Sequence, residues 1–207
     1  MRRAVVVLLN PVHWSPPGIG LARWRAALAE DMVDLLATLS QIEPAIAGAG
    51  ADLPLARSVA WPGTPTYELT EPTVNAALAA AAADGFDQAA VLAADAPDLP
   101  GLLVGKLLRP LTTRLVAIAP AEPVAPSESV GAAGGGLLGV AARLPVPLWL
   151  PPVDLDDDPE TVRVAAPRRG AVAVTPSWRR VRGPADLPTL DPAVEGWETT
   201  RALLSVP

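Results

Sequence analysis

The chain has 207 residues, half of them hydrophobic, which is enough for one substantial core and too apolar for general disorder. A formal charge of −6, from 22 acidic and 16 basic side chains, gives no general electrostatic basis for binding nucleic acid. The absence of Cys excludes disulfides, thiolate nucleophiles and cysteine zinc sites.

Met1, Arg2 and Arg3 followed by Ala4 to Leu9 superficially look like an export signal, but Asn10 and Pro11 interrupt the apolar run, so a buried first strand is the expectation. No segment supplies the roughly 18 uninterrupted apolar residues of a membrane span. A cytoplasmic protein with no membrane partner is expected. The Pro/Gly loop from Asn10 to Gly20 leads into a helical pattern over about Leu21 to Leu39, with Trp24, Leu28, Met32, Leu35, Leu36 and Leu39 at near-helical spacing. Ile42 to Ala47 reads as a weak or edge strand because of Pro44, and Leu55 to Trp61 as another strand. Thr70 can cap a helix that runs to about Ala83, where Asp84 and Gly85 close it.

The run Ala89 to Ala94 has no polar alternation and stops at Asp95, Ala96, Pro97, Asp98, Leu99. This predicts a strand buried on both faces, ended by Pro97, with Asp98 suited to cap the helix expected over Leu99 to Leu108. Two carboxylates thereby fall at the carboxyl end of a central strand, where open α/β sheets place their ligands. Thr112 to Ala119 reads as the next strand, followed by a long Gly/Pro-rich loop containing Glu122 and Glu128. Further on, Leu148 to Val153 suits a short edge segment; Val162 to Ala165, Ala171 to Thr175 and Trp178 to Val181 suit short strands, and Pro192 to Leu204 a last helix. No clean linker or repeat divides the chain, so residues 1–207 are read as one domain.

Two readings stay open at each candidate position. Asp95 suits a ligand to Mg²⁺ at a diphosphate, or a turn; Asp98 suits assistance to that metal, or a helix cap. Gly18 and Gly20 with Arg23 suit a phosphate loop at a helix start, or a rigid turn with Arg23 at the surface. The glycines Gly134, Gly135 and Gly136 permit close backbone approach to a ligand or provide a bend. His13, the single His, has Ser15 nearby, but no nucleophile-elbow pattern surrounds that Ser, and a loop hydrogen bond is the plainer role. The acidic run Asp154 to Asp158 does not complete a calcium-loop motif and reads as a solvated loop.

Four segments carry a family resemblance that covers most of residues 1 to 204. Pro17, Gly18, Ile19, Gly20, Leu21, Ala22, Arg23 and Trp24 resemble a P-G-x-x-K-T-R-L helix entry, with Leu21 and Ala22 in place of Lys and Thr. Leu92 to Leu99 resembles a strand followed by G-x-D-x-P-D-L, and Ala133 to Gly139 an acidic-Gly-Gly segment that here lacks its acid. Arg180, Val181, Arg182, Gly183, Pro184, Ala185, Asp186 and Leu187 resemble D-x-D-T-P-x-D-L, with arginines at the first two acidic positions. The chain thus resembles the MobA-like nucleotidyltransferase and family-A-like glycosyltransferase group, and within it the DUF2064, radical-SAM/selenodomain-associated transferases; the phospholactate guanylyltransferases are a broader similarity.

The resemblance implies a three-layer α/β sandwich with a mixed, mostly parallel central sheet, of the nucleotide-diphospho-sugar transferase type. It also implies a nucleotide or nucleotide-sugar ligand and Mg²⁺ or Mn²⁺ at Asp95, with Asp98 nearby. Gly18, Gly20, Arg23, Gly134 and Gly135 would then meet the nucleotide. The departures have one physical effect, because they remove carboxylates that hold a divalent ion and add Arg180 and Arg182, which can neutralise phosphate without it. Two functions are therefore carried forward: a nucleotide-dependent transferase, and a catalytically degenerate nucleotide- or phosphate-binding protein. A protein-interaction scaffold is a third, with no partner named.

Overall fold

A computed structural model describes residues 1–122 and 135–205. The chain forms β1 (Arg3–Leu8), α1 (Leu21–Ala37), β2 (Glu43–Ala49), α2 (Leu53–Val59), β3 (Thr66–Leu69), α3 (Val74–Ala83), β4 (Gln88–Ala93), α4 (Gly101–Leu108), β5 (Val116–Pro120), β6 (Leu137–Arg143), α5 (Pro159–Ala165), β7 (Val172–Val174) and α6 (Glu198–Leu204). The seven strands make one sheet in the order β3-β2-β1-β4-β6-β5-β7. Among the described residues only β6 runs antiparallel to its neighbours. This is the mixed, mostly parallel sheet of a three-layer sandwich.

Alternation along the central strands divides the core into two layers. In β1, Ala4, Val6 and Leu8 face α3, α5 and the segment around Leu150 to Leu155; Val5 and Val7 face α1, α2 and α4. In β4, Ala89, Val91 and Ala93 take the first face, Ala90 and Leu92 the second. Every residue of β4 is buried, as a strand covered on both faces requires. A third apolar cluster lies outside the sheet. There Trp24 and Leu28 of α1, with Val12, Trp14 and Ile19 of the preceding loop, pack against Val181, Leu190, Trp197 and Leu203 of the C-terminal segment.

Several elements differ from the sequence expectation. Strand β2 is not at the edge: Pro44 pairs with Val5 on one side, and β3 joins only from Ile46 onward, so the missing N–H of Pro44 faces no partner strand. Leu53–Val59 is helical, with Pro54 in its first turn. The cap of α3 is Thr73, whose hydroxyl accepts from Ala76 N, rather than Thr70. Pro159–Ala165 is a helix capped by Asp158, which accepts from Glu160 N at 2.8 Å. Trp178 makes an isolated bridge to Ala121, Leu148 to Val153 forms no strand, and the last helix is confined to Glu198–Leu204. No helix among the described residues is long and apolar enough to cross a membrane.

Candidate functional site

Strands β1 and β4 lie side by side in register, Leu8 against Ala93, so their carboxyl ends deliver Asn10 and Asp95 to the same edge of the sheet. The chain returns to that edge near its end, where Val181 N donates to Asp95 O at 2.7 Å. This backbone tie sets Arg180 beside the Asp95 side chain. Arg180 Nε donates to Asp95 Oδ1 at 2.7 Å and Nη2 to Oδ2 at 3.0 Å, a two-pronged charge-assisted pair. Both residues are buried, at 2% exposure each.

The remaining donors of Arg180 are also spent. Nη1 donates to Leu155 O at 2.9 Å, Leu137 O at 3.2 Å and Asp156 Oδ1 at 2.9 Å. The Asn10 amide, turned with its oxygen toward the guanidinium, accepts from Nη2 at 3.0 Å and donates to Leu8 O at 3.1 Å. Burial on its own would lower the Arg180 pKa, but the charge and hydrogen bonds of Asp95, aided by Asp156, outweigh it and raise the value. A guanidinium with all of its N–H groups engaged has none left for a phosphate. The expected phosphate role of Arg180 therefore does not fit this geometry.

Asp98 is fully buried and equally committed. Its carboxylate accepts from Trp178 Nε1 at 3.2 Å, Arg179 Nε at 2.8 Å and Asp191 N at 2.9 Å, while Arg179 stacks 4.1 Å above the Trp178 ring. It neither caps α4, whose first-turn boundary is Pro100, nor points toward Asp95's partners. Among the described residues no group of three or more His, Cys, Asp or Glu is arranged to hold a metal ion. With both oxygens of Asp95 on Arg180 and both of Asp98 on other donors, the residues present do not fit Mg²⁺ or Mn²⁺.

The other expected site residues divide into those near this pair and those away from it. Arg182 lies close: its Nη2 donates to Gly135 O at 2.7 Å and its Nη1 reaches Asp156 Oδ1 at 3.4 Å. Gly134 and Glu128 lie outside the described residues. Glu122 accepts from Ser177 Oγ at 3.3 Å rather than approaching Asp95. Gly18, with φ +83°, and Gly20, the N-cap of α1, shape the entry of α1, but Arg23 is exposed on the flank that faces Glu198, Thr199 and Leu203 of α6. Arg23 is therefore not brought to Asp95. Ser15 Oγ donates to Ile19 O at 2.8 Å within its own turn, and no bond joins it to His13.

Next to the ion pair is a cavity of about 350 Å³ lined by Leu8, Asn10, His13, Pro72 and the loop Asp154–Asp157. Its carboxylates can accept from hydroxyl and amine donors, and His13 brings the one imidazole. Sequence reasoning passed over Asn10, although a polar residue directly after a buried strand was a readable signal. It also passed over Arg25, which pairs with Asp52 at 2.6 Å and reaches Leu9 O at 3.3 Å, and for which helix periodicity offered no cue. Nothing in the acidic run distinguished Asp156 as the residue that meets both Arg180 and Arg182.

No family model and no curated protein match the sequence. Solved structures do. A candidate nucleotide-diphospho-sugar transferase from Desulfovibrio desulfuricans G20 superposes with a TM-score of 0.61 at 20% identity, covering 98% of this chain and 95% of that one. The CMP:2-keto-3-deoxy-manno-octonic acid synthetase solved with CTP superposes at 0.56, 12% identity and 99% of both chains. Glucosyl-3-phosphoglycerate synthase from Mycobacterium tuberculosis, solved with Mn²⁺, UDP and glucosyl-3-phosphoglycerate, superposes at 0.57, 14% identity, 98% of this chain and 77% of that one. At these identities the likeness is one of fold: the chain has the architecture of the nucleotide-diphospho-sugar transferases, with an arginine on the central-strand carboxylate.

Proposed function

We propose that this chain is a binding protein for a nucleotide or nucleotide sugar, a degenerate relative of the transferases whose fold it has, working without a divalent ion. The observation that carries this reading is the Asp95–Arg180 pair: a fixed guanidinium sits on the carboxylate that the family resemblance assigns to metal. The chain thereby neutralises that carboxylate itself, with no divalent ion. The motif Leu92 to Leu99 supports descent from the DUF2064-like branch. The neighbouring cavity, with Asp154, Asp156 and Asp157 in its wall, suits sugar or ribose hydroxyl donors better than a bare triphosphate, which like-charge repulsion disfavours.

The transferase reading requires Asp95 to release Arg180 and take up Mg²⁺ or Mn²⁺, and burial of both partners opposes that exchange. The two are separated by calorimetric titration of nucleoside triphosphates and nucleotide sugars, in EDTA and in Mn²⁺, alongside a product assay. Binding of a nucleotide sugar that changes less than about two-fold between EDTA and Mn²⁺, with no turnover, is expected, since no metal step enters the affinity. Metal-dependent binding or product formation would establish the transferase instead, and no binding at demonstrated saturation would remove the nucleotide from the account.

A further inference from the structure

At the amino-terminal edge of the sheet, opposite Asp95, a groove of about 460 Å³ runs between α4 and the loop that joins α1 to β2. Leu39, Ile42, Val104 and Leu108 give it apolar lining, shared with the polar side chains of Thr38, Ser40, Gln41 and Thr112, and Arg3 and Arg109 line it as well. No Asp or Glu lines it, in a chain with 22 acidic residues. Arg3 is held in place by its Nε, which donates to Gln88 Oε1 at 3.0 Å. Among the described residues, its terminal nitrogens and the Arg109 guanidinium meet no carboxylate.

Two glycines of α4, one turn apart, border the groove differently. A Cβ on Gly101 would stand 3.1 Å from Leu39 Cδ2, so close packing accounts for that glycine. A Cβ on Gly105 would meet nothing within 4 Å. Glycine at a helix position costs about 1 kcal/mol relative to Ala, and no neighbour in the fold requires it there. The bare turn widens the groove beneath Arg109.

We infer that this groove binds an aliphatic monocarboxylate, its chain lying along Leu39, Ile42, Val104 and Leu108 and its carboxylate between Arg3 and Arg109. The volume falls in the range of small-molecule sites, in which apolar walls supply affinity and a few polar groups fix orientation. Two cations in a cleft that no acid lines select an anionic head, because arginine takes carboxylate in paired charge-assisted bonds. The inference is independent of the nucleotide reading, since the two regions lie at opposite edges of the sheet.

Decanoate and decanol are suitable probes, titrated calorimetrically and followed by NMR of the Leu39, Ile42 and Val104 methyl groups. Decanoate should bind saturably at one site and shift those methyls, and decanol should bind at least about ten-fold more weakly, as loss of a charge-assisted contact implies. Gly105→Leu, which places a side chain in the open turn, should abolish decanoate binding while the melting temperature is retained. Arg109→Gln, on an exposed side chain, should weaken decanoate by about ten-fold and leave decanol unchanged. If Gly105→Leu lowers the melting temperature, Arg109→Gln decides alone. Absence of saturable binding, equal affinity for decanol and decanoate, or wild-type decanoate affinity in Arg109→Gln would overturn the inference.

Discussion

Arg180 and Asp95, 85 residues apart in the chain, share two parallel hydrogen bonds of 2.7 and 3.0 Å, and both side chains are buried. Arg180 is the one cation that Asp95 meets among the described residues, whereas Arg180 would keep Asp156, at 2.9 Å, if Asp95 were removed. Arg180→Ala should therefore cost about 3–5 kcal/mol of stability, the penalty of leaving a buried charge uncompensated. The double variant Asp95→Asn with Arg180→Met should recover much of that loss, because two neutral side chains of similar size leave no stranded charge. Urea unfolding of the three proteins measures it. A double variant as unstable as Arg180→Ala would show that the pair matters for packing rather than charge.

Gly139 of β6 faces Leu92 of β4, and a Cβ there would come within 2.6 Å of both Leu92 Cδ2 and Val91 O. Gly139→Ala should destabilise by about 1–3 kcal/mol, since an overpacked core must move backbone or force a rotamer. Gly105→Ala, with free space around it on α4, should instead stabilise by up to about 1 kcal/mol. The opposite signs, read from paired thermal melts, test the close approach of β4 and β6 directly. A neutral Gly139→Ala would mean that the strands have room to separate.

What the sequence disclosed follows from how local each signal was. Ala89 to Ala94 read as a doubly covered strand because burial on both faces leaves no alternation, and the structure buries every residue of β4. Leu55 to Trp61 and Val162 to Ala165 read as strands but are helical over Leu53–Val59 and Pro159–Ala165. Apolar runs that short carry no decisive period, and the deciding features were Pro54 in one first turn and the Asp158 cap of the other. At the site, Asp95 was legible from its place after a buried strand. Its partner was not: the resemblance marked Arg180 only as standing where an acid was expected, whereas the pairing depends on the Val181–Asp95 backbone bond, which no local pattern encodes.

Asp31 of α1 sits at the start of α6, where Oδ1 accepts from Thr199 N at 3.0 Å and Oδ2 from Thr200 N at 2.8 Å. Burial raises its pKa, and hydrogen bonding from Thr200 and Thr199 only partly offsets that. A carboxyl whose pKa is higher in the folded chain than in the unfolded one binds its proton more tightly when folded. Its contribution to stability is full below the ordinary carboxylate value of about 3.9 and is lost as pH rises through the folded value. Relative to Asp31→Asn, the wild type should therefore gain melting temperature as the pH is lowered from neutrality toward that value. A difference that shrinks on acidification would mean that the ionised form is the one the fold prefers.

Asp98 gathers three donors, Trp178 Nε1, Arg179 Nε and Asp191 N, from a segment that has little regular structure of its own. That segment nevertheless covers α1 through Val181, Leu190 and Trp197. With few backbone ladders to hold it, its order depends on anchors, and Asp98 is a fully buried one. Asp98→Ala should cost about 3 kcal/mol, because it leaves the Arg179 guanidinium and two N–H groups without their acceptor. The loss should be regional: amide exchange should speed up across 178–203 well before β1 and β4, whose ladders do not pass through Asp98. Uniform acceleration over the whole chain would place Asp98 in the cooperative core instead, and unchanged exchange in 178–203 would show that the apolar cluster around Trp24 and Trp197 holds the segment without it.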